Sequence, residues 1–207
     1  VILKRLKGLF AKTGGQEQEL GVDVSFDELA ELAARRAENL FREHRLSCSE
    51  AALLVVNLGF EGGLTTEQSL CLGSGFGGGV GGSGCVCGAL SGAVMALGLF
   101  LGPGCRSGLG KKKFRKLVAN FHDSFREESG TVCCRDLIAD FRKNRKGQAL
   151  LCRGLTGRCT GEVVRIVLQE RPELAGRANL QFLQGHDSGV GAILQKILGH
   201  TLGNTEN

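Results

Sequence analysis

The chain has 207 residues, enough for one domain with or without an extension and for a substantial core. It contains no Trp, no Tyr, two Pro and 33 Gly; strands favour aromatic and β-branched residues, so this composition points to helix and away from a β-sheet protein. The net charge of +5 is concentrated in two short basic clusters, Lys111-Lys112-Lys113 with Arg115 and Lys116, and Arg142-Lys143-Asn144-Arg145-Lys146. Without Trp or Tyr as stacking platforms, these read as solvated helix faces or loops and argue against a nucleic-acid partner.

The first ten residues mix Lys4, Arg5 and Lys7 into a short apolar pattern. This lacks the long apolar run and cleavage site of a secretory signal. A reducing cytoplasm is therefore the expected compartment, where many cysteines mean metal or catalysis more often than disulfides. Residues 1–24 read as an amphipathic segment and linker, with weak membrane-surface association through residues 1–10 as the sharper alternative to a plain tail. Residues 25–171 read as a cysteine-rich helical redox domain, and 172–207 as a helical extension and tail.

Helix starts are well marked. Ser25-Phe26-Asp27-Glu28 and Ser47-Cys48-Ser49-Glu50 are capping boxes, and Thr65-Thr66-Glu67-Gln68 opens a shorter helix in the same way. Phe26, Leu29, Leu32, Ala33, Ala37, Leu40 and Phe41 recur at helical spacing, and the second helix runs to Leu58 and stops at Gly59. Eight of the twelve residues from Gly73 to Gly84 are glycine, and an apolar helix follows from about Val86 to Leu101. Leu109 to Glu128 is amphipathic. Short helices are predicted at 134–142, 160–171, 173–184 and 188–199. No segment alternates as a strand, so the expected fold is all-α, with a glycine-rich loop before a central apolar helix.

No Asp, Glu, Lys or Arg occurs between Gln68 and Cys105. The apolar run is near the minimum for a membrane span. Its many small residues, and a glycine loop whose amides would be unpaired in lipid, favour a buried helix instead. The same small residues allow close packing within one chain or across two, which leaves a homodimer open.

The nine cysteines are Cys48, Cys71, Cys85, Cys87, Cys105, Cys133, Cys134, Cys152 and Cys159. Cys48, Cys87, Cys134 and Cys159 fall at predicted helix starts, where free amides and the helix dipole favour a thiolate. Amides also donate to cluster sulfurs. Gly77, Gly78, Gly79, Gly81, Gly82, Gly84 and Gly88 would let backbone approach a bulky inorganic ligand. The loop has no Gly-Lys-Ser/Thr ending, which excludes a Walker loop, and neither a preceding strand nor a suitably placed acid for a dinucleotide.

These features resemble the C_GCAxxG_C_C family of redox-active proteins over roughly residues 40–170. The resemblance is carried by Cys48-Ser49-Glu50-Ala51, by Ser74-Gly75-Phe76-Gly77-Gly78-Gly79, by Cys87-Gly88-Ala89-Leu90-Ser91-Gly92-Ala93, and by Cys134-Arg135-Asp136-Leu137 with a last cysteine before a helix. It implies four metal-ligating cysteines, Cys48, Cys87, Cys134 and Cys159, with Cys152 as rival for the fourth place. It also implies an iron–sulfur cluster, 4Fe-4S or 2Fe-2S, and electron transfer to a protein partner or a redox reaction. The split-Soret cytochromes are relatives of the family, but no Cys-x-x-Cys-His occurs here, so covalent haem is not expected. Cys85, Cys133 and Cys152 lie near family cysteines and leave open a larger or second cluster. Cys71 and Cys105 read as small buried packing residues. Two alternatives stay open: metal-free thiol–disulfide exchange through Cys133-Cys134 or Cys85-x-Cys87, and a structural zinc site in an interaction protein.

Overall fold

The structure is a computed structural model that describes residues 24–105 and 107–187. Its elements in chain order are α1 (Phe26–Glu43), α2 (Cys48–Gly59), α3 (Thr66–Ser74), α4 (Gly88–Leu101), α5 (Lys111–Ser129), the one-turn α6 (Cys134–Leu137), a 3₁₀ turn (Ala139–Phe141), α7 (Arg145–Glu170), a second 3₁₀ turn (Pro172–Arg177) and α8 (Leu180–Gln184). The fold is all-α. Among the described residues the only β-type pairing is a single antiparallel bridge between Val86 and Cys133. No described helix is long and apolar enough to cross a membrane.

The three capping boxes form as the sequence dictates. Glu28 Nα donates to Ser25 Oγ at 3.2 Å, Glu50 Nα to Ser47 Oγ at 3.3 Å and Gln68 Nα to Thr65 Oγ1 at 3.1 Å, and each acidic or amide side chain reaches back to its cap. Each box satisfies two of the amides that a helix start otherwise leaves open.

The core is built by α1, α2, α4 and α7. The central position is shared between α4 and α2, in which Ser49 through Asn57 are all buried. The polar members of α2 have partners. Ser49 Oγ donates to Gly73 O at 2.7 Å, and the Asn57 amide binds both Leu64 O at 2.8 Å and Leu64 N at 3.0 Å. Those bonds fix the α2–α3 turn, which a purely apolar helix could not do.

Glycines set how closely the helices approach. A Cβ on Gly92 would lie 2.6 Å from Ser49 O, and one on Gly73 would lie 2.8 Å from Glu50 Cα. The N-terminal half of α4 and the end of α3 therefore press directly on the first turn of α2, the turn that carries Cys48.

The helix predicted at 160–171 is the second half of a far longer one. α7 begins at Arg145, with the Asn144 side chain accepting from Gly147 N. Gly147, Gly154 and Gly157 weaken the helical propensity of its first half, but packing against α1 overrides this. A Cβ on Gly157 would meet Ala34 O at 3.1 Å and one on Gly161 would meet Ala30 O at 3.2 Å, so these glycines serve a close helix crossing. As a result Cys159 is mid-helix and not at a helix start. The other short predictions shrink: 134–142 becomes α6 plus a 3₁₀ turn, and 173–184 becomes a 3₁₀ turn plus α8. The segments 1–23 and 188–207, including the N-terminal amphipathic pattern and the helix expected at 188–199, lie outside the described residues. Residues 172–187 fold back on the core: Asn179 N donates to Gly59 O at 2.9 Å, and Asp187 reaches Arg36 and His44.

Candidate metal centre

Three turns meet at one end of the bundle. Cys48 is the first residue of α2, after the Ser47 cap. Cys87 is the N-cap of α4, and its Nα donates to Val132 O at 2.8 Å. Cys134 is the first residue of α6, and its Nα donates to Cys85 O at 2.5 Å.

The glycine loop locks these turns together. Arg135 N donates to Gly84 O at 3.0 Å and the Arg135 guanidinium donates to Ser83 O at 2.6 Å. Gly79 has φ +74°, and a Cβ there would lie 2.7 Å from Cys134 Cβ. Gly88 presses on Phe76 O and on Cys48, where a Cβ would meet atoms at 2.9 and 3.4 Å respectively. Glycine is needed at Gly79 for both its left-handed backbone and the close approach of the cysteine turn.

The turns enclose a cavity of about 380 Å³ lined by Cys48, Cys87, Cys134 and Cys152, together with Phe41, Ser47, Gly78, Gly82, Gly88, Leu137, Ile138, Gln148 and Leu155. The structure thus brings together three of the four cysteines expected at helix starts. The fourth cysteine on the cavity is Cys152, which α7 delivers from its second turn. Cys159 is 2% exposed and packed in the core. The two share a stripe of α7, seven residues or roughly 10 Å apart, so the stripe alone does not distinguish them.

The remaining cysteines stand outside the lining. Cys85 is exposed, and Cys133 forms the N-cap of α6 and the bridge to Val86. Cys105 is half-buried, and its thiol donates to Leu99 O at 3.2 Å and Gly98 O at 3.4 Å, closing the C-terminus of α4. Cys71 is exposed on α3, contrary to its expected burial. Of the loop glycines, Gly78, Gly82 and Gly88 line the cavity. Gly77 packs on Ser47, Gly79 on Cys134 and Gly84 on Arg135, while a Cβ on Gly81 would meet nothing within 4 Å.

The helix starts do not by themselves yield thiolates. A hydrogen bond to Cys152, then burial, pushes the Cys48 thiol well up, with Thr156 opposing. Burial raises Cys87 against the pull of the Leu90 and Ala89 amides, and burial followed by the neighbouring Cys87 and Cys48 raises Cys134. Burial likewise raises Cys159. Cys152 alone is drawn down, because Cys48 donates to its sulfur. Desolvation and mutual repulsion outweigh the dipole here. Thr156 escaped the sequence reading; it stands one turn beyond Cys152, a spacing that marks it as a neighbour once α7 is known to be continuous. Among the described residues, no three His, Cys, Asp or Glu side chains stand close enough together to hold a single metal ion.

His122 Nδ1 contacts Asp123 Oδ1 at 3.1 Å on the α5 surface. Asp187 meets His44 Nε2 at 2.9 Å and the Arg36 guanidinium at 2.8 Å.

Fold and site together define a helical protein with a cysteine-lined cavity buttressed by a glycine loop. The chain belongs to the C_GCAxxG_C_C family: the family model described as "Putative redox-active protein (C_GCAxxG_C_C)" matches residues 46–166, more than half of the chain. Among curated proteins and among solved structures, none matches it.

Proposed function

We propose that this protein holds an iron–sulfur cluster in the cavity, with Cys48, Cys87, Cys134 and Cys152 as ligands, and works in electron transfer or in a redox reaction on a substrate. The observation that carries this reading is the convergence of four cysteine side chains, one each from the starts of α2, α4 and α6 and one from α7, on one cavity. The family's description as redox-active supports the general role.

The donor set fits the group. The sulfurs ring a space of about 380 Å³ without gathering round one point, as ligands of a multi-atom cluster would. Four thiolates facing one another repel, and a cationic iron centre supplies the compensating charge. When bound, the cluster supplies one-electron transfer. The chain's own part is to hold the thiolates, to donate the Leu90 and Ala89 amides towards Cys87 sulfur, and to exclude water with Phe41, Leu137, Ile138 and Leu155. A structural zinc would need a tighter tetrahedral group, and no observation favours it.

The second reading, thiol–disulfide exchange, is favoured by one pair. Cys48 and Cys152 face one cavity, and each perturbs the other's thiol, Cys48 upward and Cys152 downward. That is the arrangement of an attacking thiolate beside a resolving thiol. It replaces Cys133-Cys134 and Cys85-x-Cys87 as the exchanging pair.

The test is iron and sulfide analysis of anaerobically prepared protein, with absorption and electron paramagnetic resonance spectra. A brown absorbance bleached by dithionite and lost on Cys48→Ala is the expected result. Colourless protein after full iron loading would overturn the cluster. A Cys48–Cys152 disulfide formed by mild oxidation of that colourless protein would then select the second reading.

A further inference from the structure

A second cavity, of about 530 Å³, lies between the end of α1, the turn that follows it and the start of α7. It is lined by Phe41, Leu46, Ala149 and Leu150, and by four cations, Arg42, Arg45, Lys146 and Arg153. We infer that this cleft binds a small amphipathic anion, an apolar body carrying one carboxylate or sulfonate.

Charge supports the anionic end. Arg42 is paired with Glu43, and Arg153 lies 3.3 Å from Glu38 Oε2. Arg45 and Lys146 have no acidic partner among the described residues, and neither have Arg142, Lys143 and Arg145 just before and at the start of α7. The cleft therefore keeps a net positive rim beside the N-terminus of a 26-residue helix, which adds to the attraction for an anion.

The backbone supports a role for Arg45 in particular. Its φ is +55°, a left-handed conformation that favours glycine or asparagine and costs other residues about 1–2 kcal/mol. Here the strained position presents a guanidinium to the cleft.

The apolar floor supports the other end of the ligand. Leu150 is 60% exposed and stands beside Leu46 and Phe41. The volume falls in the range of small-molecule sites, about 300–1,000 Å³. Phe41 also lines the cysteine cavity, so the occupant would sit one side chain away from it.

The test is titration of the whole protein with 8-anilinonaphthalene-1-sulfonate, followed by competition with octanoate and with octanol. One saturable site is expected, with octanoate competing at least tenfold better than octanol. The Arg45→Gln/Lys146→Gln variant should weaken binding at least tenfold, and Leu150→Asp should weaken it as well. Absence of saturation, equal competition by octanol, or unchanged affinity in the double variant would overturn the inference. Binding of polyglutamate without competition by octanoate would assign the cleft to an acidic polypeptide and overturn it too. The titration needs no metal, so its outcome is independent of the cluster reading.

Discussion

Cys48 and Cys152 line the same cavity, although one opens the helix after a capping box and the other sits inside a helix just over a hundred residues later. Cys159, by contrast, is buried in the core, so the two candidates for the fourth ligand place make different predictions. Removing a true ligand abolishes the centre, whereas removing a buried bystander costs only packing. Cys152→Ala is expected to lose the iron-dependent absorbance. Cys159→Ala should keep full iron content and lose about 1 kcal/mol of stability, as small buried truncations do. Iron analysis beside urea unfolding reads both. Loss of iron in Cys159→Ala with retention in Cys152→Ala would reverse the assignment.

The loop glycines separate by what surrounds them. Gly79 and Gly81 both have positive φ, so alanine strains either by about 1–2 kcal/mol. Only at Gly79 would the new methyl also collide with the Cys134 turn, at 2.7 Å. Gly79→Ala should therefore shift Cys134 and reduce iron content severalfold, while Gly81→Ala lowers the melting temperature and leaves iron content near wild type. Equal iron in the two variants would mean that the loop does not position Cys134.

Much of this site was legible because its chemistry is local. A capping box names the start of α2 and so places Cys48; a glycine run beside an uncharged stretch announces a turn pressed against a buried helix. Cys152 was not legible in this way. Its exposure to the cavity depends on α7 beginning at Arg145, and three glycines hid that beginning by lowering helix propensity. Of the three, Gly157 answers to α1, a distant segment, so only tertiary packing explains it. The same holds for the raised thiols. The dipole at a helix start is visible in sequence, whereas the burial that outweighs it is not.

The approach of α4 to α2 makes a prediction of its own. A methyl on Gly92 would stand 2.6 Å from the Ser49 carbonyl, a backbone atom that cannot swing aside. Gly92→Ala is expected to cost about 1–3 kcal/mol by overpacking and to loosen the first turn of α2. Gly98, on the same helix, meets nothing within 4 Å. Gly98→Ala should be neutral or stabilise by up to about 1 kcal/mol through helix propensity. Chemical unfolding of the pair measures the contrast, and an equal effect in the two variants would show that the Ser49 contact does not limit the approach of α4.

Asp187 ties the segment after α8 to α1 and gives the fold a pH dependence. Hydrogen bonding from His44, then the Arg36 guanidinium, holds its carboxyl at about 2 against an ordinary 3.8. The folded value lies below the unfolded one, so the contribution is complete above roughly pH 5 and disappears as pH falls through the folded value. Arg36 is 3% exposed, and its counter-charge is this carboxylate. Asp187→Ala should therefore destabilise by about 1–3 kcal/mol at neutral pH, less than for a fully buried pair because Asp187 itself is partly solvated. Urea midpoints of wild type and variant at pH 6, 4 and 2.5 test this. The gap should be full at pH 6, begin to narrow near pH 4 and shrink further at pH 2.5, since other acids titrate alike in both proteins and cancel. A gap that stays constant across this range would mean that the ionised carboxylate contributes nothing and that Asp187 acts only by packing.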